Sequence, residues 1–105
     1  MPTAICFIEK LRKQRPLVLG GAEYVSGNWD VAEAKAASLV GARIYFHETQ
    51  AGPSYYGGEI TAYRVLPADH RHAPGRIVFT FIPDPACQGF RAGSIGWRNE
   101  QKTLP

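Results

Sequence analysis

The sequence predicts an α+β fold, on three observations. The run Val31 to Val40 is rich in alanine and behind a capping residue, as a helix requires. The stretch Gly41 to Leu66 reads strand, loop, strand, with Ile44 and Phe46 alternating against Arg43, Tyr45 and His47. Arg76 to Pro83 alternates Ile77, Phe79 and Phe81 with Val78, Thr80 and Ile82, so it is apolar on both faces and belongs in the interior of a sheet.

Taken in order, Ala4 to Leu11 is a first strand, with Ile5 and Phe7 on one face and Cys6 and Ile8 on the other. Lys10, Arg12, Lys13 and Arg15 follow, and Pro16 bars a helix from passing Arg15. Leu17 to Leu19 is a short apolar run before Gly20-Gly21. Tyr24 and Val25 form a second extended piece, with a turn expected at Ser26-Gly27-Asn28. Asp30 is placed to cap the helix, with Glu33 completing a capping-box-like pair, and Ala32, Ala36, Leu39 and Val40 share one face. Trp29, just before the cap, either staples the helix or projects into a pocket. Gly41 stops the helix. The strand Ala42 to Glu48 leads into a loop, Thr49 to Gly57, and Gly58 to Leu66 returns. Pro67 to Gly75 is a polar turn. After Pro83-Asp84-Pro85 the glycine-bearing tail is a long loop or a final short strand beside the sheet.

At 105 residues the chain has room for one domain, which buries roughly two thirds of the surface its unfolded chain exposes. It is 45% apolar, 20% charged and 11% aromatic, which excludes a disordered or fibrous chain and leaves rings for a surface. The formal net charge of +3 permits a polyanionic partner without demanding one. Cys6 and Cys87 leave room for one disulfide at most, and neither a zinc pattern nor a phosphate loop is present. The two histidines of His70-Arg71-His72 lack a third ligand at metal spacing, so no metal or cofactor is expected. No apolar stretch nears the ~20 residues that span a bilayer, and the opening, apolar then basic, reverses a secretory signal. A cytoplasmic protein with reduced thiols and no membrane partner is expected.

With those elements placed, the segment from about Trp29 to Ile82 resembles the PUA-like superfamily, in particular its EVE and ASCH branches. A tryptophan precedes a helix; LVGARIYFHETQ is similar to the helix end, glycine and apolar strand of those domains; and PSYYGGEITAYRVL resembles their returning strand. The resemblance implies a small, bent, mixed sheet closed into a β-barrel with one or two packed helices and a pocket at its mouth. Members commonly bind RNA or DNA, and EVE-type members are regarded as readers of modified bases. By position, the implied pocket takes in His47 to Gln50, Ser54 to Gly57, Asn28 and Trp29. Some ASCH members are amidohydrolases of modified nucleosides that use a lysine, a threonine and a glutamate; that trio does not map onto this chain, and no catalytic residue is assigned.

The residues support the same pocket on their own chemistry. A base taken out of its stack needs rings to sandwich it and donors and acceptors to read its edge. Trp29, Tyr55, Tyr56 and Trp97 supply rings; Asn28, His47, Thr49, Gln50 and Ser54 supply polar groups. Lys10, Arg12, Lys13, Arg15, Arg91 and Arg98 are the candidate phosphate contacts. The leading expectation is therefore a non-enzymatic module that binds DNA or RNA, with salt-dependent affinity that falls when Tyr55 or Trp97 is cut to alanine. One alternative is a small hydrolase or nucleoside amidase, with His47 beside Glu48 and Thr49, Ser54 or Cys87 as nucleophile. Adjacent strand residues point to opposite faces, which counts against that dyad. The other is an inhibitor-like protein partner, for which exposed tyrosine, tryptophan and arginine are suitable hot spots.

Overall fold

The structure is a computed structural model and describes residues 2–18 and 20–105. Leu19, the end of the predicted Leu17–Leu19 apolar run, lies outside the described residues. Seven strands form one mixed sheet: β1 (Ala4–Ile8), β2 (Arg15–Pro16), β3 (Tyr24–Trp29), β4 (Arg43–His47), β5 (Ser54–Val65), β6 (Ile77–Pro83) and β7 (Gln101–Leu104). They lie in the order β2-β3-β6-β5-β4-β1-β7. Only β1 and β4 pair in parallel; every other neighbour is antiparallel.

The predicted barrel does not close. β2 and β7 are free edges, and β2 is two residues long and ends in proline, which has no N–H to extend a ladder. Side chains hold the sheet's curl instead. Phe7 of β1 stacks on Trp29 of β3 with ring centroids 3.9 Å apart and planes 14° from parallel, although three strands separate β1 from β3 in the sheet.

The predicted alternations decide which side is core. Ile5, Phe7, Ile44, Phe46, Ile60, Ile77, Phe79 and Phe81 are fully buried in one cluster on one face. The helix α1 (Glu33–Ser38) closes that face with Ala36 and packs Leu39 just beyond it. It is shorter than predicted. The chain stays extended through Ala32, which stands at the N-cap without a side-chain hydrogen bond, so the Asp30 cap and its capping box do not form. Val31 is drawn into the core, whereas Ala32 and Val40, expected on the buried face, are exposed. Glu33 accepts instead from the Tyr63 hydroxyl at 3.1 Å. Among the described residues the one α-helix is joined by a single 3-10 turn, Pro85–Cys87, which Asp84 caps by accepting from the Ala86 N–H at 2.9 Å.

Two other expectations change. Ser26-Gly27-Asn28 is not a turn: it continues β3 through a bulge, between the pairings Ser26↔Phe79 and Trp29↔Ile77. Ser54 to Gly57 belongs to β5 and not to the loop, because β4 supplies the ladder (Phe46↔Tyr56, His47↔Ser54) that local composition does not reveal. The final short strand is present as β7, antiparallel to β1. Both cysteines are free and buried. No helix among the described residues is long and apolar enough to cross a membrane.

Candidate functional site

Curl brings β1 to β3 without joining their backbones, and two clefts there share Trp29 in their lining. The larger, ≈ 620 Å³, is lined by Asn28, Trp29, Asp30, Arg76 and residues 99–101; the smaller, ≈ 300 Å³, runs from Ile8 to Lys13 and is bordered by Gly27, Trp29 and Glu100. The first lies within the range of small-ligand sites. The indole common to both is held in place. Phe7 covers it on one side, and its Nε1–H donates to Ser26 Oγ at 3.0 Å. Gln101 ties the rim together by donating from Nε2 to the Asp30 carbonyl at 2.9 Å. The site therefore offers a fixed aromatic wall, the amide of exposed Asn28, the Arg76 guanidinium and the carboxylates of Asp30 and Glu100. Such a set can stack a flat ring and present donors and acceptors to its edge.

Of the residues predicted from sequence, Asn28 and Trp29 meet in this cleft, and Lys10 and Lys13 stand on the rim of the smaller one. Gln50 lies beside them: it borders a neighbouring depression with Lys10 and Asn99 and donates to the Asn99 carbonyl at 3.3 Å. Arg76, Glu100 and Gln101 also line the cleft and are not among the residues expected from sequence. No local signal marks them; β7 carries Gln101 to the site by pairing it with Phe7.

Tyr55 and Tyr56 lie elsewhere on the core side. Arg12 sits 4.1 Å above the Tyr55 ring and pairs with Glu48 at 3.0 Å, while the Tyr55 hydroxyl donates to the Glu9 carbonyl at 2.6 Å and accepts from Gln14 Nε2 at 3.0 Å. That tyrosine fastens the segment after β1. Tyr56 packs on Phe46, Phe81 and Tyr24 as a wall of the core.

His47, Ser54 and Trp97 face the other way, while Thr49 borders the same depression as Gln50. Tyr45, His47 and Ser54 point to the outer face of β4 and β5, which the chain after β6 covers. Phe90 stacks on Tyr45 at 4.2 Å, and Trp97 meets His47 edge to face at 5.5 Å. Trp97 Nε1–H donates to the Gly93 carbonyl at 2.6 Å, and Arg91 donates to the Ala51 carbonyl at 3.1 Å, so both hold this covering segment. Thr49 Oγ1 accepts from the Gly52 N–H at 3.0 Å and shapes the β4–β5 turn. Arg98 is exposed on the same segment. The sheet thus stands between Trp29 and the group His47, Ser54 and Trp97.

Ser54 is a clamp. Its hydroxyl donates to the Cys87 carbonyl and accepts from the Phe90 N–H at 3.0 Å, and its backbone bonds Phe90 and Gly89 at 2.8 Å each. Ser54→Ala leaves a buried carbonyl and a half-buried N–H without that partner, and chemical denaturation is expected to show a loss of about 2 kcal/mol. Ligand binding at Trp29 should not change.

His47 is fully buried, and its Nδ1–H donates to the Gly52 carbonyl at 3.1 Å. That bond fixes the tautomer and leaves Nε2 buried with no partner among the described residues. Burial pushes the imidazole's pKa below its usual value, outweighing the Gly52 carbonyl, which pulls it up. Below the usual histidine pKa of about 6.5 the unfolded chain takes up a proton that the folded chain refuses. The stability present above that pH is therefore lost as pH falls toward the folded pKa, with a slope of at most ~1.4 kcal/mol per pH unit. Melting temperature followed from pH 7.5 downward should show this decline, and His47→Asn, which keeps a donor for Gly52, should flatten it.

His70 Nδ1 accepts from the His72 and Ala73 N–H groups at 3.2 and 3.0 Å, which makes the histidine pair a turn device. No cluster of three metal-ligating side chains occurs among the described residues. Compared with family models, with curated proteins and with solved structures, the chain finds no match.

Proposed function

We propose that this chain is a non-enzymatic module that binds DNA or RNA by taking one nucleobase, ordinary or modified, into the cleft beside Trp29. The observation that carries the reading is the immobilised indole. A ring already fixed by Phe7 and Ser26 loses little freedom when a base stacks on it, and preorganisation of that kind favours binding. Asn28 and Gln101 give the site amides for a base edge, and Arg76 gives it a cation. The likeness of residues 29–82 to PUA-like domains of the EVE and ASCH type, with their base-reading members, supports the same assignment. Two buried free thiols suit a reducing compartment, and the cytoplasm is the location we assign.

Fluorescence titration tests the reading. In a Trp97→Phe background Trp29 is the sole tryptophan, and short single-stranded and double-stranded oligonucleotides carrying ordinary and modified bases are added at two salt concentrations. Saturable quenching, stronger for single strands and for one base type, is the expected result. No response to any oligonucleotide would overturn it and move the assignment to a protein partner.

A further inference from the structure

Arg64 has no part in the pocket predicted from sequence, yet it joins two of the predicted cations. The register Arg15↔Val25 between β2 and β3, and Arg64↔Val78 between β5 and β6, puts all four residues on the outer face of the sheet. Together with Lys13 they line a groove of ≈ 590 Å³ floored by Val25 and Val78. Its lining contains no carboxylate. The two ion pairs among the described residues, Arg12–Glu48 and Arg43–Asp84, use none of its cations, so Lys13, Arg15 and Arg64 have no acid within 4.0 Å there. From β2 to β5 is three strand spacings, roughly 14 Å, which is room for more than one phosphate.

The groove also reaches the Trp29 site. Asn28 lines both the groove and the larger cleft, and Gly27 lines both the groove and the smaller one. The β3 bulge is thus the saddle between an aromatic cleft on one side and a cationic track on the other. A cation row without acids attracts a polyanion and releases its counterions.

We propose that Lys13, Arg15 and Arg64 hold the phosphodiester backbone of a single strand whose base lodges beside Trp29. This assignment rests on the reading of that cleft, with Arg64 as the added contact. Lys13 and Arg15 serve as phosphate contacts, whereas Arg12 is committed to Glu48 and Tyr55 and Arg91 to the β4–β5 turn.

The test compares the full chain with Arg64→Ala and with Arg71→Ala, an exposed arginine outside the groove. Affinity for a short single-stranded oligonucleotide is measured against salt, beside affinity for the free nucleoside. Arg64→Ala should flatten the plot of log K against log salt by about 0.7 for each phosphate it no longer neutralises. It should weaken oligonucleotide binding several-fold and leave the nucleoside unaffected, while Arg71→Ala changes neither. An unchanged slope in Arg64→Ala, with Trp29→Ala still weakening binding, removes the track and keeps the base cleft. A flattened slope in Arg64→Ala with no effect of Trp29→Ala keeps the track and removes the base cleft. Absence of binding by both oligonucleotide and nucleoside removes both.

Discussion

Gly58→Ala is expected to lower stability by about 3 kcal/mol or more, a large share of the roughly 5–15 kcal/mol that holds a domain of this kind together. Gly58 lies where the two ladders of β5 overlap, facing Ile44 of β4 on one side and Pro83 of β6 on the other. The sheet bends so tightly there that a Cβ would collide with the Ile82 carbonyl oxygen and come within 2.9 Å of Pro83 Cα. Both obstacles are backbone, which cannot rotate aside as a side chain can. Gly57 is confined in the same way by the Ile44 carbonyl oxygen, with Cys87 Cβ at 2.9 Å. Where space exists, glycine to alanine raises stability by about 0.4–1 kcal/mol through the unfolded chain, so the sign of the change is itself diagnostic. The urea midpoint measures it. A midpoint equal to or above that of the unsubstituted chain would show that the β4–β5–β6 corner has room to spare.

The second large effect concerns binding. Trp29→Ala should weaken oligonucleotide affinity by about 5- to 150-fold, which corresponds to the ~1–3 kcal/mol a stacked base gains on an aromatic ring. The same change removes the partner of Phe7, so the chain also loses about 3–5 kcal/mol of stability, and binding has to be measured where circular dichroism shows it folded. Asn28→Ala separates the two effects. Asn28 is exposed and its side chain makes no hydrogen bond to the described residues, so its loss should weaken affinity and alter base preference while leaving the melting temperature within about a degree or two. Unaltered affinity in both variants would place the ligand elsewhere than beside Trp29.

Much of the sheet was legible in the residues because burial obeys the period of two. Ile44 and Phe46, then Ile77, Phe79 and Phe81, all turn to the core as their alternation requires, and the doubly apolar β6 does lie inside the sheet. Local chemistry misled where a tertiary contact outweighs it. Asp30 has the composition of a cap, but burying Val31 keeps the chain extended past it. Ser54, Tyr55 and Tyr56 follow Gly52 and Pro53 and read as loop, yet hydrogen bonding to β4 makes them strand.

The candidate site was legible in part for the same reason. Asn28-Trp29 stood out by composition next to a helix, and that pair does form the wall and rim of a cleft. The grouping of His47, Ser54 and Trp97 with it did not follow, since residues close along the chain are divided by the plane of the sheet. Residue pattern alone specifies the secondary structure of the long alternating segments, the face of each that turns inward, and the ring and amide at the end of β3. Long-range contacts alone settle that β1 lies parallel to β4, that the sheet curls until Phe7 meets Trp29 without closing, and that Arg64 shares the outer face with Arg15, diagonally across the sheet. The pairing of β1 with β4 joins residues about forty positions apart, and no local pattern records which partner a strand will take.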